Sequence, residues 1–343
     1  MGKRGAIQAT SMKDVARLAG VSTMTVSRAM RAPDSVSAQV LERVREAITS
    51  SGYVPNRIAG NLSSNRSTLV ALVVPSLRNA LYAETIKGIS EVLTRNGLHL
   101  MISDSEQSAD EEEQLVAEYI ALRVCGVILH NTRHTARTIA MLRDSGIPCV
   151  ETGNLTPDPI DMVVSYSNHE AGKAMADHLL ELGYKRFAFA SLSVTGNERL
   201  SQRRAGFLSQ LKRAGAAIAP DLVLEVGPGL KSGAQALTQI TETAPLVEAI
   251  FFSGDVLAAG AIFECQRRGI AVPGRIAIAA SDDNELMQNM VPPITTVAFP
   301  RYEIGVRSAT MIVARTKGVV LPTPIVDIGF KIIPRGTTSP RPC

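Results

Sequence analysis

Met12–Met30, MKDVARLAGVSTMTVSRAM, decides how the rest of the chain is read. Val15, Ala16 and Ala19 fall at i, i+1 and i+4, one apolar stripe on a first helix. Gly20 suits the left-handed residue that ends a helix. Ser22 can accept from the free N–H groups that open the next one. Val26 and Met30, four apart, face back onto the first helix, while Thr23, Met24, Ser27 and Arg28 occupy the other side. Two short helices broken by Gly-Val-Ser, with an arginine late in the second, predict a helix-turn-helix. In that motif the second helix lies in the DNA major groove. The Arg28 fork matches guanine O6 and N7, worth roughly 1–3 kcal/mol of discrimination. The hydroxyls of Ser22, Thr25 and Ser27 suit phosphate oxygens, which position the protein without specifying sequence. An ordinary surface helix hairpin has no need of small hydroxylated residues beside an arginine.

Charge points the same way. Residues 1–68 hold ten Lys or Arg and four acids, a net +6, which leaves −2 for the remainder of a chain whose total is +4. A basic head on a mildly acidic body is the footprint of a polyanion-binding module. Ser37–Ser50 predicts a third helix, capped by Ser37, striped by Val40, Leu41, Val44 and Ile48, and closed by Gly52. Beyond it, Ile58 and Leu62 would share one face of a short helix over 56–63. Gly60 costs such a helix about 1 kcal/mol, and its length is too small to hold in water alone. It is therefore expected to form only on DNA, beside its twin from a second subunit, with Leu62 as an apolar wedge in the minor groove. A plain linker is the alternative.

The strings KDVARLAGVS, TVSR and GYVPN and the leucine at 62 resemble the headpiece and hinge of the lactose-repressor family of bacterial transcription regulators. The resemblance implies that Thr23, Met24 and Arg28 read bases and that Leu62 intercalates. Arg31 stands where the family commonly has asparagine and is expected to add a phosphate contact. Asn56, Arg57 and Ala59 complete the DNA-facing set, Arg57 as a phosphate ligand.

From Leu69 short apolar runs alternate with amphipathic stretches. The runs 69–76, 98–105, 125–131 and 148–154 form one set; 186–193, 221–227, 249–255 and 275–283 form a second. Continuous apolar strands alternating with helices predict parallel sheets covered on both faces. The expected fold class is thus α/β. An all-α helix-turn-helix headpiece precedes a core of two doubly wound parallel-sheet lobes, similar to periplasmic binding proteins. The expected divisions are a headpiece at 1–55, a hinge at 56–68 and a core at 69–343. Within the core, lobe 1 takes 69–168 and 300–324 and lobe 2 takes 169–299 and 325–340, the last strand being VDIGFKII.

Ligands of such sheets sit beyond the carboxyl ends of the strands, where Ser76, Asn79, Asn131, Glu151, Asp255 and Asp282 fall. SQRRAGF (201–207) matches the family's arginine-xx-glycine-aromatic element, which implies Arg203 at the effector; Asp282 matches an aspartate that binds sugar hydroxyls. Arg199, one helical turn before Arg203, can share its face, although a surface ion pair is its other reading. Two guanidiniums converging on a cleft suit a carboxylate, and Asn131, Glu151, Asp255 and Asp282 suit hydroxyls. RHT (133–135), AIFECQRRGI (261–270) and VPGRIAIA (272–279) look closest to gluconate-operon repressors, so a sugar acid, gluconate first, is the expected effector. Gly254 replaces an asparagine usual in the family, and an apolar Phe299 stands at a position that is polar in some relatives.

Enzyme readings fail on spacing. His169-Glu170 lacks the second histidine of a zinc-protease helix, Lys173 being there. GPGLKSG (227–233) lacks phosphate-loop spacing, and there is no Gly-x-Ser-x-Gly elbow. His130 and His134 have no evident third ligand, so neither metal nor cofactor is expected. Cys125, Cys149, Cys265 and Cys343 form no CxxC pair and read as reduced thiols. No apolar run is membrane-length and no signal-like segment opens the chain. A cytoplasmic homodimeric repressor with operator DNA and a small sugar acid as partners follows. No terminal leucine heptad points to tetramers. A periplasmic solute-binding protein is the main alternative, and it has no use for a basic headpiece.

Overall fold

The three described α-helices of the headpiece each begin on a serine. The computed structural model describes residues 10–54, 67–78 and 80–340, and the chain divides after Ser67. Helix α1 (Met12–Ala19) opens with a capping box, in which Ser11 Oγ accepts from Asp14 N–H and the Asp14 carboxylate accepts from Ser11 N–H. Helix α2 (Thr23–Arg31) starts on Ser22 and α3 (Ala38–Ser51) on Ser37. Such caps contribute about 1 kcal/mol each. Gly20 and Gly52 end α1 and α3 in the left-handed conformation, as the sequence predicts. The three helices close on Val15, Ala16, Ala19, Val26, Ala29, Val44 and Ala47, with Tyr53 sealing one end. The hinge expectations at 56–63, including Asn56, Arg57, Ala59 and Leu62, lie outside the described residues.

The second unit holds two six-stranded sheets. In the first, β1 (Leu69–Val74), β2 (His99–Asp104), β3 (Gly126–Leu129), β4 (Cys149–Glu151), β5 (Met162–Ser165) and β11 (Ile325–Asp327) run parallel in the order 11-5-4-3-1-2. The second contains β6 (Phe187–Ser191), β7 (Val223–Glu225), β8 (Ala249–Phe252), β9 (Ala277–Ser281), β10 (Thr295–Ala298) and β12 (Lys331–Ile333), ordered 12-10-9-8-6-7. Only β12 is antiparallel to its neighbour. The strands alternate between two covered faces. Val70, Leu72 and Val74 of β1 join one core, while Ala71 and Val73 join another.

Between strands run α4 (Ala83–Arg95), α5 (Ala109–Ala121), α6 (Ala136–Ser145), α7 (Asn168–Glu181), α8 (Glu198–Arg213), α9 (Leu230–Thr243), α10 (Asp255–Arg268), α11 (Glu285–Asn289) and α12 (Arg301–Thr316). Three crossings, α4 with α12, α7 with α8 and α9 with α10, are glycine contacts. A Cβ on Gly206 would sit 1.9 Å from the His169 carbonyl oxygen, and one on Gly172 would sit 2.1 Å from that of Arg203. No side chain fits there, so the backbones touch.

One expectation is corrected at the end of the chain. VDIGFKII is two strands in different sheets rather than one, and Ile325–Asp327 belongs to the first lobe, paired with β5. Gly329, at φ 74°, turns the chain between them.

Candidate functional site

On the headpiece, the face of α2 away from its core is free. Thr23, Met24 and Arg28 are exposed, Met24 by 70 %, while Val26 and Ala29 are buried beneath them. A large apolar side chain left outside a 45-residue bundle beside an arginine marks a contact surface. Arg31 is exposed on the last turn, and Ser27 and Thr25 are half-buried. Ser22 Oγ is engaged in capping: it accepts from Thr25 N–H at 3.1 Å and pairs with Thr25 Oγ1 at 2.9 Å. These two hydroxyls hold the helix start before they meet any phosphate.

In the second unit the loops after both sets of strands meet. Glu198, first residue of α8, accepts from Thr132 Oγ1 at 2.6 Å and Asn154 Nδ2 at 3.4 Å, both from the first lobe. One residue on, Arg199 Nη1 donates to Tyr82 Oη at 3.0 Å. Arg203, buried one turn further, donates to Ser281 Oγ at 2.7 Å and to Asn168 Oδ1 at 2.7 Å. The arginine-xx-glycine-aromatic element has a physical basis here. Gly206 lets α8 lie on α7, Phe207 anchors the core, and Arg203 reaches the cleft.

A third arginine, overlooked in the sequence, completes the set. Arg301 opens α12, which packs on the first lobe, yet it forms an ion pair with Asp282 of the second. Burial opposes its charge, but Asp282 more than offsets that, so its pKa is raised. Burial lowers that of Arg203, with Asp282 opposing. Phe299 lies between them: the guanidinium carbons of Arg203 and Arg301 stand 5.0 and 5.6 Å from its ring centre, and Tyr166 stacks on it at 3.9 Å. Phe299, apolar where some relatives are polar, supports two of the pocket's cations through their attraction to the ring face. Asp255 accepts from Asn284 Nδ2 at 2.5 Å; burial first, then the nearby Asp282 charge, raises its pKa. Gly254 caps α10 in extended backbone, φ −176°.

Other expected site residues are spent elsewhere. Both oxygens of Glu151 are used inside the first lobe, on His134 Nε2 at 3.3 Å and Ile160 N–H at 2.5 Å. Glu112 takes the other ring nitrogen of His134 at 2.5 Å and a 3.4 Å bond from Asn131 Nδ2. Glu151 and Asn131 therefore belong to a buried His134 cluster, not to the arginine set. Ser76 Oγ accepts from Arg78 N–H at 3.3 Å, and Asn79 lies outside the described residues. His130 and His134 do not converge. Among the described residues no cluster is arranged to hold a metal ion, and no helix is long and apolar enough to cross a membrane.

Comparison with known proteins matches residues 11–56 to the bacterial regulatory proteins of the lacI family and residues 176–338 to a periplasmic binding protein-like domain. A regulator named GntR from Pseudomonas aeruginosa is 35 % identical over 96 % of this chain and 95 % of its own. This chain belongs to the lacI family. Its Escherichia coli relative GntR is 31 % identical over 95 % of this chain and 98 % of its own. The crystal structure of a LacI-family regulator from Silicibacter pomeroyi superposes with a TM-score of 0.91 at 32 % identity, covering 96 % of this chain and 99 % of that one. This lacI-family chain is thus a DNA-binding transcriptional regulator, not an enzyme.

Proposed function

We propose that this regulator is a cytoplasmic homodimeric repressor that binds operator DNA through α2, with gluconate or a closely related sugar acid as effector. The observation that carries the acid is the convergence of three arginines on the cleft. Arg199, Arg203 and Arg301 meet there, and among the described residues only Arg301 is in ion-pair contact with a carboxylate, that of Asp282. A guanidinium grips a carboxylate through two parallel bonds, so an anionic ligand suits Arg199 and Arg203, whose described partners are hydroxyls and amide oxygens. Hydroxyls of the same ligand find Asp255, Ser253 and Ser281 nearby. Gluconate stands first on the resemblance carried by 133–135, 261–270 and 272–279.

The ligand acts by binding two lobe arrangements with different affinity, and the coupling to DNA is reciprocal. Release of DNA is the expected direction. Dimerisation places two headpieces on a pseudo-palindromic site. Exposed Leu230 and Phe263 flank a hollow of about 660 Å³ between α9 and α10 whose other walls are largely polar, with Gln235, Glu242, Glu264 and Arg267 among them, an amphipathic surface suited to a second copy. Calorimetry with gluconate, 2-ketogluconate and glucose tests the ligand class, and glucose binding best would refute it. A gel shift in which gluconate tightens operator binding would overturn induction.

A further inference from the structure

Two buried polar atoms at this cleft have no partner among the described residues. One is the Nε–H of Arg203, on the second lobe; the other is Nε2 of His130, on the first. Buried polar groups are nearly always paired, so two orphans at one site ask for a ligand. Their chemistry differs. The guanidinium N–H can only donate. What His130 Nε2 does depends on which ring nitrogen carries the proton. Thr152 Oγ1 lies 2.8 Å from His130 Nδ1 and 3.2 Å from the Leu129 carbonyl, which already accepts from Thr152 N–H at 2.8 Å. The Thr152 hydroxyl can therefore accept from Nδ1–H or donate to Nδ1. The imidazole is kept neutral by burial and then by Arg199 and Arg301. Nε2 is a bare acceptor in one neutral form and a bare donor in the other, and a ligand hydroxyl, which can do both, satisfies either.

The ring is also held in place. Tyr82 packs edge-on against it at 4.7 Å, and the Tyr82 hydroxyl in turn accepts from Arg199. His130 thus sits beside the cations that suit a carboxylate, and the ligand group nearest that carboxylate is the substituent on C2. We infer that His130 makes this a site for 2-hydroxy acids: its bare Nε2 bonds the ligand's 2-hydroxyl while the arginines hold the carboxylate. A site built to bond a hydroxyl rejects an analogue lacking it strongly, because the buried partner is left bare.

The inference rests on the sugar-acid reading above, and one titration series separates the two. The full-length protein is titrated calorimetrically with gluconate, 2-deoxygluconate and 2-ketogluconate, alongside His130→Phe, which keeps an edge-packed ring, and His130→Gln, which can restore an acceptor. Thermal melting checks that both variants fold. The wild type should bind gluconate about tenfold or more tighter than 2-deoxygluconate. H130F should lose about that factor for gluconate and change less than about twofold for 2-deoxygluconate, with H130Q recovering part of the loss. Equal weakening of gluconate and 2-deoxygluconate in H130F, or equal wild-type affinity for gluconate and 2-deoxygluconate, overturns the role given to His130. Failure of the wild type to bind any of the three acids overturns the sugar-acid reading itself, and this inference with it.

Discussion

Replacing Asp282 by asparagine isolates the electrostatics of the cleft. Asp282 sits at φ 75°, a conformation asparagine also adopts, so the backbone has no reason to move. Its side chain is 5 % exposed and that of its partner Arg301 is 12 % exposed. Removing one member of a buried pair costs about 3–5 kcal/mol, mainly because the other charge stays buried without compensation. Arg203 and Arg199 lie close enough to make this worse. At about 2–4 °C per kcal/mol for units of this size, the melting midpoint should fall by roughly 10 °C. Two arms of a thermal-melt experiment test the cause. Asp282→Asn combined with Arg301→Met removes the stranded charge and should recover a clear part of the loss. Gluconate, by supplying a carboxylate, should raise the midpoint of D282N by more than that of the wild type, and glucose should not. A loss below about 1 kcal/mol, or a double variant no better than the single one, would refute the claim that the pair is a compensated buried charge.

Other substitutions address separate parts of the molecule. Arg28→Ala should cost about 1–3 kcal/mol of discrimination at one operator base, seen in competition gel shifts with single-base variants, while affinity for random duplex falls much less. Gly206→Ala places a Cβ 1.9 Å from the His169 carbonyl oxygen; it should destabilise by about 1–3 kcal/mol or more and weaken effector binding by displacing Arg203, both readable by melting with and without gluconate. His134, opposed by burial but bonded to Glu112 and Glu151, has its pKa raised to about 9. Its stabilisation is complete below the unfolded value near 6.5 and is lost as pH rises through about 9, so stability should fall on the order of 3 kcal/mol across that window, and His134→Gln should flatten the slope. Phe263→Glu should shift sedimentation toward monomer, and an unchanged dimer would place the interface elsewhere.

Sequence patterning exposed the features governed by local physics. Capping serines, terminal glycines and the stripes of the headpiece are short-range, and α1–α3 fall where Ser22, Ser37, Gly20 and Gly52 put them. The core strands with unbroken apolar runs were equally legible. Met162–Ser165 and Thr295–Ala298 were not, because four residues carry too little periodicity to stand out. Arg203 was visible through its glycine-aromatic neighbours, which exist to let α8 touch α7. Arg301 was not, although Pro300 before it is a helix-start signal, because its partner Asp282 lies 19 residues away on the other lobe. Glu151 ends a strand as expected, and its position in the chain says nothing about His134, which claims it from the loop after β3. Side-chain allegiance among several polar candidates is a tertiary property.

The same cleft carries both the ligand chemistry and the bonds that join the lobes, and this bears on control. Glu198 ties α8 to Thr132 and Asn154, Arg199 ties it to Tyr82, and Arg301 ties α12 to Asp282. Each bond joins the two lobes, and two of the three arginines proposed to hold the acid take part. A ligand carboxylate on Arg199 competes with or reinforces the Tyr82 bond, so binding cannot leave the lobe-to-lobe contacts unchanged in energy. That differential is what a ligand needs to shift an equilibrium between arrangements. Arg203, whose bonds run to Ser281 and Asn168, lies one turn from the Glu198 and Arg199 contacts on one helix. Occupancy at Arg203 and closure at Glu198 are therefore mechanically linked through a single turn of α8, whose seat on α7 at Gly206 leaves no room for it to move independently.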